Sequence, residues 1–210
     1  MPWKTPLLLA LIVPASVLAN EQRFSPEDIL DWESRSFQGE THYAVKDVDG
    51  RPALQADCED SASGLYREAN IDLGKTPIIE WYWRIESTFG EDIDETRRAG
   101  DDYPVRLYLV KDGGWRRWQT RAVNYVWASA KEKDSEWPNA YTRRAMMLAL
   151  QSGEDKAGQW VRERRLIADD FERLHGERPQ TIDAIAIMSD CDDTGEHIRG
   201  WYGEIRLLPE

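Results

Sequence analysis

The chain has 210 residues, 27 of them basic and 39 acidic, for a formal charge of −12 at pH 7. That negative excess argues against nucleic acid or an anionic membrane surface as partner. The length suits one sizeable hydrophobic core, and beyond the N-terminus no stretch is long and apolar enough to cross a bilayer as a helix.

The first residues read MPWKTPLLLALIVPASVLAN. Lys4 precedes an apolar run from Leu7 to Val13, and Val17-Leu18-Ala19 supplies small or aliphatic residues at a cleavage position. Residues 1–19 are therefore expected to be a cleaved export signal, and 20–210 a single periplasmic or secreted domain. Cys58 and Cys191 are the only cysteines. In an oxidising compartment a bridge between them is the expected state.

In chain order, Ser25-Pro26-Glu27-Asp28 combines an N-cap, a proline at the first helical position and acids in the first turn, predicting a short helix to about Trp32. HYAVKDVDGRPALQADC predicts a hairpin turning at Asp49-Gly50. PIIEWYWRIES alternates, with Ile79, Trp81, Trp83 and Ile85 opposed to Glu80, Tyr82, Arg84 and Glu86. STFGEDIDETRRAGDD reads as a polar, mobile loop, and YPVRLYLV as a strand with Val105, Leu107 and Leu109 opposed to Arg106 and Tyr108. KDGGWRRWQT predicts a turn at Gly113-Gly114, AVNYVWAS a strand, and WPNAYT a loop. RRAMMLALQSG has helical propensities, but its length, its Ser-Gly stop and its neighbours favour a strand. QWVRERRLI reads as a strand, ADDFERLHG as a short helix ending at Gly176, and TIDAIAIMSD and GWYGEIRLL as closing strands. Together these predict an all-β fold: an antiparallel, jelly-roll-like β-sandwich of about nine or ten strands with two or three short helices.

The chain lacks a G-x-S-x-G elbow, an H-E-x-x-H helix, a P-loop and a C-x-x-C pair, and its histidines are scattered. Asp190-x-Asp192-x-Thr194-Gly195 imitates the first half of a calcium loop, although Trp201 stands where the twelfth, acidic position would be. The stretch reads first as a strand-ending turn held by aspartate–backbone bonds, with calcium on Asp190, Asp192 and Thr194 as its functional alternative. No other cofactor is implied. Asp101 and Asp102 stand beside Arg106, with Arg84 on the preceding strand. Such a group can grip sugar hydroxyls, hold a uronate carboxylate, supply an acid–base pair, or simply be a salt-bridge cluster. Tyr82, Tyr108, Tyr125 and Trp127 on strands, and Trp115, Trp118 and Trp137 in loops, are candidates for stacking on sugar rings or for rim packing.

The segments SASGLYRE, WYWRIES, DDYPVRLYLV, NYVWAS, WVRERRLIADDFERLHGE, IDAIAIMSDCDDTGE and WYGEIRL together resemble the bacterial domain-of-unknown-function family 3047 (DUF3047). In that family WYWR usually reads W-R-W-R and the late loop T-D-T-D-N-T-G, so Tyr82, Ser189, Cys191 and Asp193 are departures. The resemblance implies an exported bacterial protein with a sandwich like those of carbohydrate-binding modules, and it supplies no activity. It directs attention to Trp83, Arg84, Asp101, Asp102, Arg106, Tyr125, Trp127, Asp190 and Asp192.

The leading expectation is a glycan-binding protein, its oligo- or polysaccharide held by Arg84, Arg106, Tyr82, Tyr108, Trp127, Asp101 and Asp102 on one outward sheet face. The alternatives are a hydrolase or lyase using Asp101, Asp102 or Asp190, and an envelope protein-interaction module.

Overall fold

The computed structural model describes residues 21–116 and 119–210, so the export-signal expectation for 1–19 and the stacking candidate Trp118 lie outside the described residues. Among the described residues thirteen strands form two sheets: β1 (Gln22–Phe24), β2 (Glu33–Gln38), β3 (His42–Val48), β4 (Arg51–Glu59), β5 (Ala62–Asp72), β6 (Ile78–Ile85), β7 (Tyr103–Lys111), β8 (Arg121–Ala128), β9 (Glu136–Pro138), β10 (Ala145–Ser152), β11 (Val161–Leu166), β12 (Thr181–Asp190) and β13 (His197–Leu208). The first sheet runs β11-β6-β13-β4-β3, with β1 also on β13, and the second runs β2-β5-β12-β7-β8-β10-β9. Pairing is antiparallel except between β8 and β10, which run parallel after the chain loops out through β9.

Local chemistry accounts for the punctuation. Ser25 and Asp28 form a reciprocal capping box around α1 (Pro26–Leu30), which ends two residues before the expected Trp32. The β3–β4 hairpin turns at Asp49 and Gly50, both with positive φ (57° and 75°), the backbone such a two-residue turn demands. Helix α2 (Ile167–His175) ends on the left-handed Gly176. A turn of 3-10 helix lies at Arg98–Gly100.

The core lies between the sheets. Trp81, Trp83, Tyr125, Trp127 and Tyr202 are fully buried there with Leu54, Ile79, Ile85, Val105, Leu107, Ile187 and Ile205. Trp81 meets Trp83 edge-on at 5.3 Å and Tyr125 at 5.2 Å. Cys58 on β4 and Cys191 just beyond β12 are disulfide-bonded, joining the two sheets 133 residues apart in the chain. Phe89, Ile93 and Ile198 pack around the bridge.

The segment between β6 and β7, expected as a mobile loop, is instead fastened at several points. Phe89 is buried against the disulfide, and the buried Glu95 carboxylate accepts from the backbone N–H groups of Ser129, Ala130 and Lys131. Burial raises the Glu95 pKa, while those three donors oppose the rise.

Candidate functional site

Cross-strand register assembles the outward face of the second sheet. Glu33, Tyr66, Ala186, Tyr108, Asn124 and Met147 stand in one row across β2, β5, β12, β7, β8 and β10. Beside it runs the row Arg35, Gly64, Met188, Arg106 and Val126, and on the other side Glu68, Ala184, Val110 and Ala122. Alternation explains the set: their neighbours Leu65, Ile187, Leu107 and Tyr125 pair across the same strands and fill the core.

The small residues of these rows make a floor and the aromatic ones make walls. One depression of about 590 Å³ is lined by Phe37, Tyr66, Tyr108, Ala184, Ala186 and Met188, among others. A second of about 490 Å³ shares Phe37, Tyr108 and Met188 with it and continues to Asn124, Asn139, Tyr141, Asp192 and Asp193. They form one groove across six paired strands, β2, β5, β12, β7, β8 and β10. Phe37 is 65% exposed and Tyr141 52% exposed, which is unusual for rings lining a depression unless something packs on them. Arg35 lies over Phe37 at 5.4 Å and Arg98 over Tyr141 at 4.8 Å. At Gly64 a Cβ atom would come within 2.6 Å of the Ile187 carbonyl oxygen, so no larger residue fits the floor there without a shift.

A β-bulge builds the groove's acidic end. Pairing slips between Met188–Arg106 and Asp190–Tyr103, which leaves an extra residue in β7 at Pro104-Val105. Pro104 has no N–H to leave unpaired, and the slip turns Tyr103 to the same face as Arg106. The Arg106 guanidinium lies 4.7 Å from the Tyr103 ring centroid. Its Nε donates to Asp190 at 2.7 Å, its Nη2 donates to the Asp101 carbonyl at 2.8 Å, and both aspartate carboxylates face it. Arg106, Asp101 and Asp190 are all buried. Asn139 donates from Nδ2 to both Asp101 oxygens, at 3.1 and 2.8 Å. Burial nonetheless raises the Asp101 pKa, with Arg106 opposing it.

Asp102, next to Asp101 ahead of β7, meets Asp192 and Asp193 of the loop after β12, and their carboxylate oxygens lie within 4.8 Å of one another. Asp102 accepts from the N–H groups of Asp193 and Thr194, at 3.3 and 2.7 Å. Burial and then Asp102 raise the Asp192 pKa. Burial raises Asp193 too, while the Tyr141 hydroxyl, donating at 3.0 Å, opposes it. Tyr141 itself is pushed up to about 12, by burial and then by that carboxylate.

The family model described as "Protein of unknown function (DUF3047)" matches residues 30–206. The chain belongs to that family. No curated protein matches it. Among solved structures, it is similar to the family 11 carbohydrate-binding module from Clostridium thermocellum in complex with a β-1,3-1,4-mixed-linked tetrasaccharide, at 11% identity and TM-score 0.46, covering 90% of this chain and 95% of that one. The family 30 carbohydrate-binding module of a Clostridium thermocellum cellulosomal cellulase gives 12% identity and TM-score 0.48, covering 90% and 98%. Likeness at this level assigns no ligand to this DUF3047 chain.

The geometry corrects several expectations for the DUF3047 chain. Arg84 and Tyr82 do not share a face with Arg106 and Tyr108, because β6 and β7, consecutive in sequence, belong to different sheets. Arg84 lies on the far side of the sandwich, paired with Asp49 and 5.4 Å from the Trp201 ring centroid. Arg51 stacks over Tyr82 at 4.3 Å and over Trp160 at 5.2 Å. Trp127 is fully buried and cannot stack on a ligand; its Nε1 donates to the Gly153 carbonyl at 2.9 Å. Tyr125 is in the core as well, its hydroxyl donating to Asp170 at 2.8 Å. Trp137 stands on β9, buried against Tyr103 rather than in a loop.

Asp101, Asp102 and Asp190 do converge, yet Asp101 and Asp190 face Arg106 and Asp102 holds the loop's N–H groups. For a calcium ion the nominated Asp190 is engaged by Arg106 and by the Tyr103 N–H at 3.1 Å, so Asp102 takes its place in the cluster. Phe37, Tyr66, Asn124 and Tyr141 were not singled out from the sequence. Phe37 falls in ESRSFQ, whose alternation is too weak to mark it as a strand, and Tyr141 falls in a loop with no periodicity to read.

Proposed function

We propose that this chain is an exported glycan-binding protein whose ligand lies along the outward face of the second sheet. The observation that carries the reading is the row Tyr66–Ala186–Tyr108–Asn124, two aromatic residues flanking a small floor and ending on a polar amide, opening into the groove beneath Phe37. Sugar rings are apolar on their C–H faces and polar at their rims. Aromatic walls with carboxylates and amides between them match that pattern. The disulfide is compatible with export. No helix among the described residues is long and apolar enough to cross a membrane.

Arg106 offers a uronate nothing, since buried carboxylates already surround it. Of the carboxyls nominated for a hydrolase or lyase, Asp101 and Asp190 are engaged by Arg106 and Asp102 by backbone N–H groups, which favours binding over catalysis by that trio.

Affinity electrophoresis and calorimetry against soluble polysaccharides test the reading. Binding of at least one glycan, weakened by about tenfold in Tyr108→Ala (about 1.4 kcal/mol), is the expected result. Retention on none, together with self-association or capture of a defined envelope protein through the same face, would overturn it in favour of the interaction module.

A further inference from the structure

The end of the groove is lined by acceptors. Asp101, Asp190, Asp192 and Asp193 line it together with Asn124, a buried residue (1% exposed) whose Oδ1 has no hydrogen-bond partner among the described residues. Its Nδ2 donates to the Met147 sulfur at 3.3 Å, which leaves the carbonyl end of the amide for a donor from elsewhere. Arg106, the cation beneath, is taken up by Asp101 and Asp190. Asp192 and Asp193 are left crowded against Asp102, with Tyr141 donating to Asp193 and Arg98 stacked on the Tyr141 ring. A buried acceptor without a donor is costly and crowded carboxylates repel one another, and a ligand that donates and carries positive charge relieves both.

We propose that this end of the groove receives a protonated amine, so that the ligand is a glycan built from sugars with free amino groups. The inference rests on the glycan-binding reading and narrows it. The ring faces favour an organic ammonium over a metal ion: calcium takes six to eight oxygen ligands, whereas Tyr108 and Tyr141 line this end with aromatic carbon.

The test uses three matched hexasaccharides with one β-1,4 backbone: glucose, N-acetylglucosamine and glucosamine. They differ only in a hydroxyl, an amide or an ammonium at C2. Calorimetry near neutral pH is expected to give the glucosamine oligomer an affinity at least about tenfold above the other two, the size of one charge-assisted contact. High salt should shrink that gap. Asp192→Asn/Asp193→Asn, with folding checked by its thermal melt and NMR spectrum, should bring the affinity for the glucosamine oligomer down to that of the other two.

Equal affinity for the three oligomers would overturn the amine preference and leave the glycan reading standing. Binding of none by calorimetry or by shifts in NMR spectra of the labelled protein would overturn the amine proposal, while the glycan reading stands or falls on the polysaccharide panel. Calcium that binds the wild type, is lost in the double variant and displaces the glucosamine oligomer would instead make this a metal site.

Discussion

The Tyr202 hydroxyl, on β13 of the first sheet, accepts from the Arg106 backbone N–H at 3.0 Å in the second. It also donates to the Met188 carbonyl at 2.6 Å, so one phenol from across the core satisfies the backbone where the β7 bulge interrupts the ladder. Tyr202→Phe keeps the ring and strands both groups. It should lower stability by about 1–3 kcal/mol in urea unfolding. A loss below a few tenths of a kcal/mol would mean the bulge finds other partners.

Arg106 is the counter-charge for two buried carboxylates. Arg106→Met should cost about 3–5 kcal/mol, because it leaves Asp101 and Asp190 uncompensated. Combining it with Asp101→Asn and Asp190→Asn should recover much of that loss. If the triple variant is no more stable than the single one, packing rather than charge is what Arg106 supplies.

Trp127 and Phe37 should part company. Trp127→Ala empties a core site and is expected to cost about 3–5 kcal/mol, whereas Phe37→Ala removes an exposed ring with little change in melting. Ligand affinity should move the opposite way, lost with Phe37 and kept in the folded fraction of the Trp127 variant. Calorimetry on both variants, each checked by thermal melting, reads the difference.

Glu163 is buried and accepts from Gln151 at 2.7 Å and from Trp83 at 3.3 Å. Burial raises its pKa above the ordinary 4.5, against those two donors and the charges of Lys133 and Lys156. A folded-state pKa that is raised means the native protein binds the proton more readily than the unfolded chain does. The associated stability is fully present below 4.5 and is lost as pH rises through the folded value. Glu163→Gln should flatten the melting temperature against pH over that interval. An unchanged profile would place the proton uptake on Glu95 or Asp101, whose pKa values burial also raises.

Strand pattern was legible wherever one face is core and the other is solvent, as in β6, where Trp81 and Trp83 alternate with Tyr82 and Arg84. Where both faces are covered the strand was still legible, but not which of its faces turns to the core between the sheets. On β8, Tyr125 and Trp127 enter the core while Val126 and Ala128 pack outward under Trp137, so both alternating sets are apolar and hidden. Sheet membership is a long-range property. Nothing local to Arg84 or Arg106 says that the chain crosses between them from one sheet to the other. The bulge at Pro104-Val105 breaks the alternation that would otherwise send Tyr103 inward with Val105 and Leu107. The aspartates were read as two separate sets, Asp101-Asp102 and the loop after Asp190; their convergence and division of labour depend on a guanidinium whose orientation only the folded chain fixes.

The Cys58–Cys191 bond ties the start of the acidic loop to the opposite sheet, and Gly195 N–H closes back onto the Cys191 carbonyl at 2.9 Å. The carboxylates of Asp192 and Asp193 are thus held in register before any ligand arrives, and little ordering remains to be done at the moment of binding. If the loop grips an amine as proposed, reduction would leave every contacting side chain in place and still weaken binding, because the ligand would then have to organise the loop that the disulfide now organises in advance.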